Sequence, residues 1–114
     1  MSDNIDRRLE RKELSQSIVI DDVINGGEFG ELINLTTEGM MAITSQAIPT
    51  HSIFQLSLRL PEEINGSNII SLGVDGLWCK KAENFQRYWA GFQIIDASEL
   101  ALAQVKILVA EYSK

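Results

Sequence analysis

The chain has 114 residues, of which 45% are hydrophobic, and its formal net charge at pH 7 is −6. This length fits one domain with its own core, and the composition excludes the disordered and membrane-embedded classes of protein. The acidic balance disfavours DNA, RNA and anionic membranes as partners.

Three features of the sequence bear on the cellular compartment of the protein. No apolar run approaches the ~20 residues that a transmembrane helix needs, so membrane insertion is not expected. The first residues are too highly charged for a signal peptide. Cys79 is the single cysteine, so it cannot form an internal disulfide. These features predict a cytoplasmic protein.

Residues 1–14 are predicted to form a flexible N-terminal arm, because a short polar segment near a chain end cannot bury itself. The arm carries Arg7, Arg8 and Arg11, and its acidic residues make it locally neutral. A guanidinium group has a fixed fork of donors that suits phosphate oxygens and the O6/N7 edge of guanine. Taken alone, the arm is better interpreted as a solvated charged tail.

Residues 15–114 are predicted to form one β-rich unit, which begins with a β-branched run at Ser17–Ile24. Asn25-Gly26 follows this run and is a strong hairpin signal. A turn is therefore expected to connect the run to a second strand at Glu28–Thr36.

Asn34, Thr36 and Gly39 lie where the second predicted strand ends. Side chains alternate along a strand, so Asn34 and Thr36 are expected to share a face. Gly39 follows three residues after Thr36, where a reversing chain commonly needs a positive φ. The pattern predicts a compact hydrogen-bonding platform. The alternative is ordinary turn chemistry, in which both side chains bond to nearby backbone.

Four further strands are predicted at 40–44, 53–60, 69–79 and 88–94, where apolar residues alternate or β-favouring residues cluster. Pro61–Gly66 is expected to be a connecting loop. Gly73 and Gly76 indicate a bulge or a sharp curvature of the fifth strand. The pattern predicts a mainly β fold, a small six-stranded antiparallel barrel with a C-terminal helix.

Leu100–Tyr112 is predicted to be that helix, with Asp96 and Glu99 in the positions of a capping box. Its residues are apolar most of the way round, whereas a surface helix normally has one apolar stripe. Leu102 and Val109 are expected to share one face. The residues of the other predicted face are Ala101, Val105, Leu108 and Tyr112. One face should meet the barrel, and the other is a candidate contact for a protein partner or for a homodimer.

Catalytic chemistry is poorly represented, so the chain is not expected to be an enzyme. His51 and Cys79 are the single residues of their types, and no cluster has the spacing of metal ligands. Trp78 shares its predicted face with Val74, which favours a position in the core or at the barrel rim. Trp89 falls on the opposite face from its aromatic neighbours and is expected to be more exposed than they are.

The combination of Arg7, Arg11, Asn34, Thr36 and Gly39 resembles the signature of the PilZ family. These are small bacterial β-barrel domains, many of which bind the second messenger cyclic di-GMP. The similarity extends over nearly the whole chain. Its further elements are Leu60-Pro61 and Leu77-Trp78, each of which closes a strand in the family, and Trp89–Ile94 in a late strand. The family usually has serine in place of Thr36, so the hydroxyl is kept while the added methyl restricts χ1.

The resemblance implies a receptor whose arginine arm grips guanine edges and phosphates of cyclic di-GMP and becomes ordered on the barrel. The implied site residues are Arg7, Arg8, Arg11, Asn34, Thr36 and Gly39, with Trp78 as a further candidate because a tryptophan in this region of the family can lie against a guanine. No cofactor beyond this ligand is expected, and the signal would pass to a protein partner.

Two other functions stay open at this point. The same fold could serve as a protein–protein adaptor that has lost nucleotide binding and acts through Leu100–Tyr112 and Trp89. The intact set of ligand residues argues against that loss. A nucleic-acid-binding barrel is a weaker alternative, because the net charge of −6 opposes it.

Overall fold

The computed structural model of the protein describes residues 17–83 and 86–112. The elements in this part are β1 (Val19–Asp22), β2 (Glu28–Leu35), β3 (Gly39–Thr44), β4 (Ile53–Ile64), β5 (Ser67–Lys81), β6 (Tyr88–Asp96) and the helix α1 (Glu99–Tyr112). The strands form a closed antiparallel barrel in the order β1-β2-β3-β6-β5-β4, which β4 completes by pairing with β1. The predicted mainly β barrel with a C-terminal helix is confirmed.

The barrel interior is filled by alternate side chains of its strands. Leu56 and Leu58 of β4 and Leu72 of β5 are fully buried, whereas Arg59 between the inward positions of β4 is exposed. A cluster of aromatic rings, Phe29, Phe54 and Phe92, occupies part of this core. The three pairs of ring centroids are 5.4, 5.9 and 6.0 Å apart, within the range of favourable aromatic contact.

The β1–β2 hairpin turns where Asn25-Gly26 predicts it. The Asp22 carboxylate accepts hydrogen bonds from the backbone N–H groups of Ile24 and Asn25, each at 3.0 Å. The bond from Asn25 is the largest cause of the lowered pKa of Asp22. Gly26 and Gly27 have φ of 81° and 87°, which glycine adopts without strain.

The β4–β5 hairpin is longer than the sequence predicts. β4 continues through Pro61 to Ile64, so the expected loop at Pro61–Gly66 is wrong. The reversal is confined to Asn65-Gly66, whose φ angles are 55° and 85°. The register of β4 on β5 shifts between Arg59 and Ile64. Proline fits at such an irregularity, because no regular ladder bond requires its missing N–H.

β5 also extends beyond Leu77-Trp78, where the resemblance places a strand end. A bulge between Gly76 and Trp78 shifts the register on β6, and the strand then continues to Lys81. The bulge moves Trp78 off the inward face that it would otherwise share with Val74. Trp78 is 42% exposed and lies outside the core, contrary to the face that simple alternation predicts.

The helix α1 is capped by Ser98. The Ser98 Oγ accepts a hydrogen bond from the Ala101 N–H at 3.0 Å, and the Ser98 carbonyl accepts one from the Leu102 N–H at 2.9 Å. Asp96 is the last residue of β6, so the predicted capping box at Asp96 and Glu99 is wrong. Serine is as effective a cap as the expected aspartate, and it stands nearer to the helix.

One face of α1 packs against β4 and β5. Its buried apolar residues are Ala101, Val105 and Leu108, which belong to one of the two predicted faces. The other predicted face is only partly free, because Leu102 is 36% exposed whereas Val109 packs against the core. Leu100 and Ile107 are the most exposed large apolar residues of α1, at 50% and 41%. Within residues 17–83 and 86–112, no helix has the length and apolar character needed to span a bilayer.

Gln104 is polar but lies on the packed face of α1, where it is 1% exposed. Its Nε2 donates toward three backbone carbonyl oxygens, those of Ile64 at 3.0 Å, Ile69 at 3.3 Å and Ser67 at 3.4 Å. These carbonyls flank the β4–β5 turn. The amide therefore ties the helix to the tip of the hairpin and closes this end of the barrel.

Replacing Gln104 with leucine should lower the free energy of unfolding by about 1–3 kcal/mol, because partly buried carbonyl groups lose the donor that Gln104 supplies. Denaturant unfolding followed by circular dichroism measures this loss. Gln93→Leu is the matched control, since Gln93 is exposed on β6. A Gln104→Leu variant as stable as the wild type would show that these bonds do not fix the helix.

Candidate functional site

Thr36 holds the β2–β3 turn together. Its N–H donates to the Gly39 carbonyl at 2.9 Å. Its Oγ1 accepts from the N–H groups of Glu38 and Gly39 at 3.2 and 3.1 Å, and donates to the Gly39 carbonyl at 3.3 Å. These are the turn contacts that the sequence left open as an alternative to ligand contact. The hydroxyl thus fixes the backbone conformation of the β2–β3 turn.

Gly39 is needed for close approach and not for a positive φ. It begins β3 with φ outside the left-handed region, so the prediction of a positive φ is wrong. A Cβ at this position would lie 2.6 Å from the Phe92 carbonyl oxygen of β6. A side chain would push β3 away from β6 at the base of the turn. Glycine therefore allows β3 and β6 to pair closely at this position.

Asn34 is exposed near the end of β2, next to a shift in register between β2 and β3. Its Oδ1 accepts a hydrogen bond from the Leu35 N–H at 2.8 Å, which orients the side chain. An asparagine side chain also has two N–H donors, which this bond does not use. Asn34 can therefore offer an oriented amide to an acceptor on the outer surface.

Asn34 lies at one end of a row of residues that crosses four adjacent strands. It pairs with Met41 of β3, Met41 pairs with Gly91 of β6, and Gly91 pairs with Trp78 of β5. Adjacent strands are about 4.8 Å apart, so this Asn34–Trp78 row spans about 14 Å. Met41 and Gly91 were not predicted as residues of the site from the sequence. The available signal is strand alternation, which puts Met41 on the face opposite to buried Met40.

The indole of Trp78 covers Gly91. Its Cδ1 is 2.9 Å from the position that a Cβ at residue 91 would take, and its Nε1 and Cε2 are nearer still. Only glycine leaves room for the ring in this place. The ring therefore reaches from β5 across β6 in the direction of β3 and Asn34. Its exposed fraction is available to another planar group.

Trp89 faces outward in the next row, between Ile43 of β3 and Lys80 of β5. It is half-buried, as is Tyr88, whereas Phe92 is 3% exposed. The prediction of greater exposure for Trp89 thus holds against Phe92. Cross-strand neighbours flank its ring on both sides.

The chain enters β1 at the same end of the barrel as the β2–β3 turn. The Ile18 carbonyl accepts a hydrogen bond from the Leu32 N–H at 2.9 Å, so Ser17 lies beside the last residues of β2. The arginines of the predicted arm, Arg7, Arg8 and Arg11, lie outside the described residues, as does the predicted domain boundary at residue 14.

His51 and Cys79 do not have the environments of a catalytic pair. His51 is exposed, with φ of 61°, in the connection between β3 and β4. Cys79 is a free thiol that packs against the core from β5. In the described part of the chain, no group of three or more His, Cys, Asp or Glu side chains is placed to hold a metal ion.

A closed six-stranded antiparallel barrel with a C-terminal helix across one end is the fold of PilZ domains, and solved structures of that class match this chain. No protein-family model and no curated protein matches its sequence. The similarity is structural and comes with low sequence identity. It shows that the chain has a PilZ-like fold, as the sequence predicted.

Three structural neighbours are similar to this chain over most of its length. The PilZ domain of YcgR from Escherichia coli, solved with cyclic di-GMP, is 11% identical, with a TM-score of 0.60 over 86% of this chain and 82% of that one. The Bacillus subtilis inhibitor of motility, MotI/DgrA, is 11% identical, with a TM-score of 0.63 over 83% and 45%. PlzA of Borreliella burgdorferi, in complex with cyclic di-GMP, is 13% identical, with a TM-score of 0.50 over 99% and 50%. The chain thus spans half or less of the length of the last two proteins.

Proposed function

We propose that the protein is a cytoplasmic receptor for cyclic di-GMP that signals to a protein partner. The ligand lies on the outer face of the barrel, over the Asn34–Trp78 row. One observation carries the proposal. The chain that brings the arginines enters the barrel beside the end of this row, at Ser17. The cyclic di-GMP complexes of two proteins with the same fold support the identity of the ligand.

The arginines are within reach of the row. An extended chain covers at most about 3.6 Å per residue, so Arg11 lies no more than about 22 Å along the chain from Ser17. Arg7 is four residues further out and can reach the far end of the row. The proposal places Arg11 near Asn34, with Arg7 and Arg8 over the middle of the site.

Cyclic di-GMP offers two guanines and two phosphates, and the site has a suitable group for each. Arginine forks suit the guanine O6/N7 edge and the phosphate oxygens. The Asn34 amide donates to one of these acceptors. The exposed indole of Trp78 stacks on a guanine, a contact worth about 1–3 kcal/mol. Thr36 and Gly39 act indirectly, by holding the turn in place.

Ligand binding orders the arm in this proposal. Fixing the backbone costs roughly 1–2 kcal/mol per residue, so the free protein gains nothing by holding the arm against the barrel. Several bidentate arginine contacts at about 1–3 kcal/mol each offset the ordering of a few residues. The ordered arm then presents a new surface, which is the signal to the partner. No catalytic step is involved.

Calorimetric titration with cyclic di-GMP tests the proposal, with GTP and GMP as controls. Saturable binding of cyclic di-GMP alone is the expected result, and amide shifts in labelled protein should map to Asn34, Met41 and Gly91. Absence of binding, or equal binding of GTP, would rule out a cyclic di-GMP receptor.

Thr36 provides a finer test of how the turn contributes. Thr36→Ser keeps the hydroxyl and should bind cyclic di-GMP as well as the wild type does. Thr36→Val keeps the shape but loses the turn bonds, each worth about 0.5–1.5 kcal/mol, so affinity should fall roughly tenfold. Calorimetry on the three proteins decides this. Equal affinities would mean that the hydroxyl is needed neither by the turn nor by the ligand.

The adaptor function is the second candidate, and the exposed stripe of α1 favours it. Leu100 and Ile107 point away from the barrel, so a protein partner or a second copy of the chain could contact them. A Leu100→Glu/Ile107→Glu variant should fold normally, because neither side chain belongs to the core. Loss of partner capture or of self-association, with cyclic di-GMP binding intact, would assign signalling to this stripe.

A further inference from the structure

The end of the barrel opposite to α1 contains a cavity of about 480 Å³. The β1–β2 turn, the start of β2, the end of β3 and the loop that follows β3 surround it. We call this cavity the barrel mouth and define it by Asp22, Glu28, Phe29, Thr44, Ile48 and Phe54. Its volume lies in the range of about 300–1,000 Å³ that is typical of small-ligand sites.

Aromatic rings supply much of the apolar wall of the barrel mouth. Phe29 and Phe54 line it and are half-buried, with their ring centroids 5.4 Å apart. Both rings also pack against the buried ring of Phe92, which restricts their movement. A rigid aromatic wall favours ligands with an apolar body, and the faces of such rings attract cations.

The charges at the barrel mouth are negative. Asp22 and Glu28 are the charged residues among those that line it, and both are acidic. Hydrogen bonds from the β1–β2 turn, above all from the Asn25 N–H, lower the pKa of Asp22, so its carboxylate stays ionised at neutral pH. Two arginines lie near Glu28. Arg87 lines an adjoining cavity of about 190 Å³ that also contains Glu31, and Arg59 forms an ion pair with Asp21. Because Glu31 and Asp21 offset these two cations, the local charge stays negative.

We propose that the barrel mouth is a binding site for an organic cation, an ammonium or guanidinium group on an apolar or aromatic frame. The apolar frame packs on Phe29 and Phe54, and the charged group lies at the rim near Glu28 and Asp22. Such a group is found in free amines and in the lysine or arginine side chains of a protein partner. The site is at the opposite end of the barrel from Asn34 and Thr36, and it is independent of nucleotide binding.

Nuclear magnetic resonance titration tests this site with phenethylammonium as the probe and phenylacetate as its anionic counterpart. Phenethylammonium should shift the amides of Glu28–Gly30 and Thr44–Ile48 saturably, and phenylacetate should not. Glu28→Gln should weaken phenethylammonium binding about two- to fivefold, the effect expected of a partly exposed charge. Glu38→Gln is the matched control, because it removes the same charge at the other end of the barrel.

A blocked peptide, acetyl-Gly-Arg-Gly-amide, distinguishes the two sources of the cation. Tighter binding of the peptide than of phenethylammonium indicates a side chain of a protein partner, and weaker binding indicates a free amine. Equal shifts with phenylacetate, shifts that map elsewhere, or a Glu28→Gln variant that binds like Glu38→Gln would each overturn the proposal.

Discussion

Replacing Arg11 with alanine should weaken cyclic di-GMP binding about a hundredfold and leave the melting temperature unchanged. A bidentate contact to guanine contributes about 1–3 kcal/mol, and a charge-assisted bond to phosphate contributes about 1.5–3 kcal/mol. Both would be lost together. Arg11 precedes the described barrel and its core, so the fold should not depend on it. Calorimetry and a thermal melt on the same variant measure the two effects.

Two matched variants separate geometry from charge at this position. Arg11→Lys keeps the charge but loses the planar fork, so it should recover only a small part of the affinity. Lys12→Ala removes a neighbouring charge and should have a much smaller effect. Wild-type affinity in Arg11→Ala would refute the assignment of this arginine. A large fall in its melting temperature would show instead that the arm is part of the folded barrel.

Replacing Gly39 with alanine should lower both the stability of the barrel and its affinity for cyclic di-GMP. The added Cβ would lie 2.6 Å from the Phe92 carbonyl oxygen, which is backbone and cannot rotate away. Overpacking of this kind costs about 1–3 kcal/mol, and each kcal/mol lowers the melting temperature of a domain of this size by roughly 4 °C. Because β3 must shift away from β6, ligand affinity should fall as well.

Thr37→Ala is the control for Gly39→Ala, because Thr37 is exposed in the same turn. It should melt within a few degrees of the wild type and bind cyclic di-GMP normally. Unchanged stability of Gly39→Ala would show that β3 and β6 tolerate a wider separation. Reduced stability with unchanged affinity would show that the turn geometry does not matter to the ligand.

Strand alternation was sufficient to predict most of the barrel, because each strand has one buried and one wet face. The inward positions of β4 follow directly from it, and helical spacing grouped the packed residues of α1 on one face. The strand ends did not follow. Pro61 and Leu77-Trp78 look like boundaries, but a register shift in β4 and a bulge in β5 allow both strands to continue. Irregular pairing depends on the neighbouring strand, which a local pattern does not contain.

The sequence was sufficient to identify residues of the candidate site, but it did not predict how they are arranged. Asn34, Thr36 and Gly39 were identified from their spacing, and the structure brings them together at one turn. The need for glycine at 39 arises from β6, which is remote in sequence, so spacing alone suggested the wrong reason. Trp78 reaches the outer face only because of the bulge, and Gly91 makes room for it. Both facts depend on pairing between β5 and β6.

The strand order divides the barrel into two halves, each built from three strands that are consecutive in sequence. One half is β1–β2–β3 and the other is β4–β5–β6, and they meet along two seams, β3–β6 and β1–β4. Pairing across the seams joins distant parts of the chain, so its formation costs the most chain entropy. Asn34 belongs to one half and Trp78 to the other. Cyclic di-GMP bound to both halves would stabilise the pairing of β3 with β6. Its concentration would then determine how often the two halves separate.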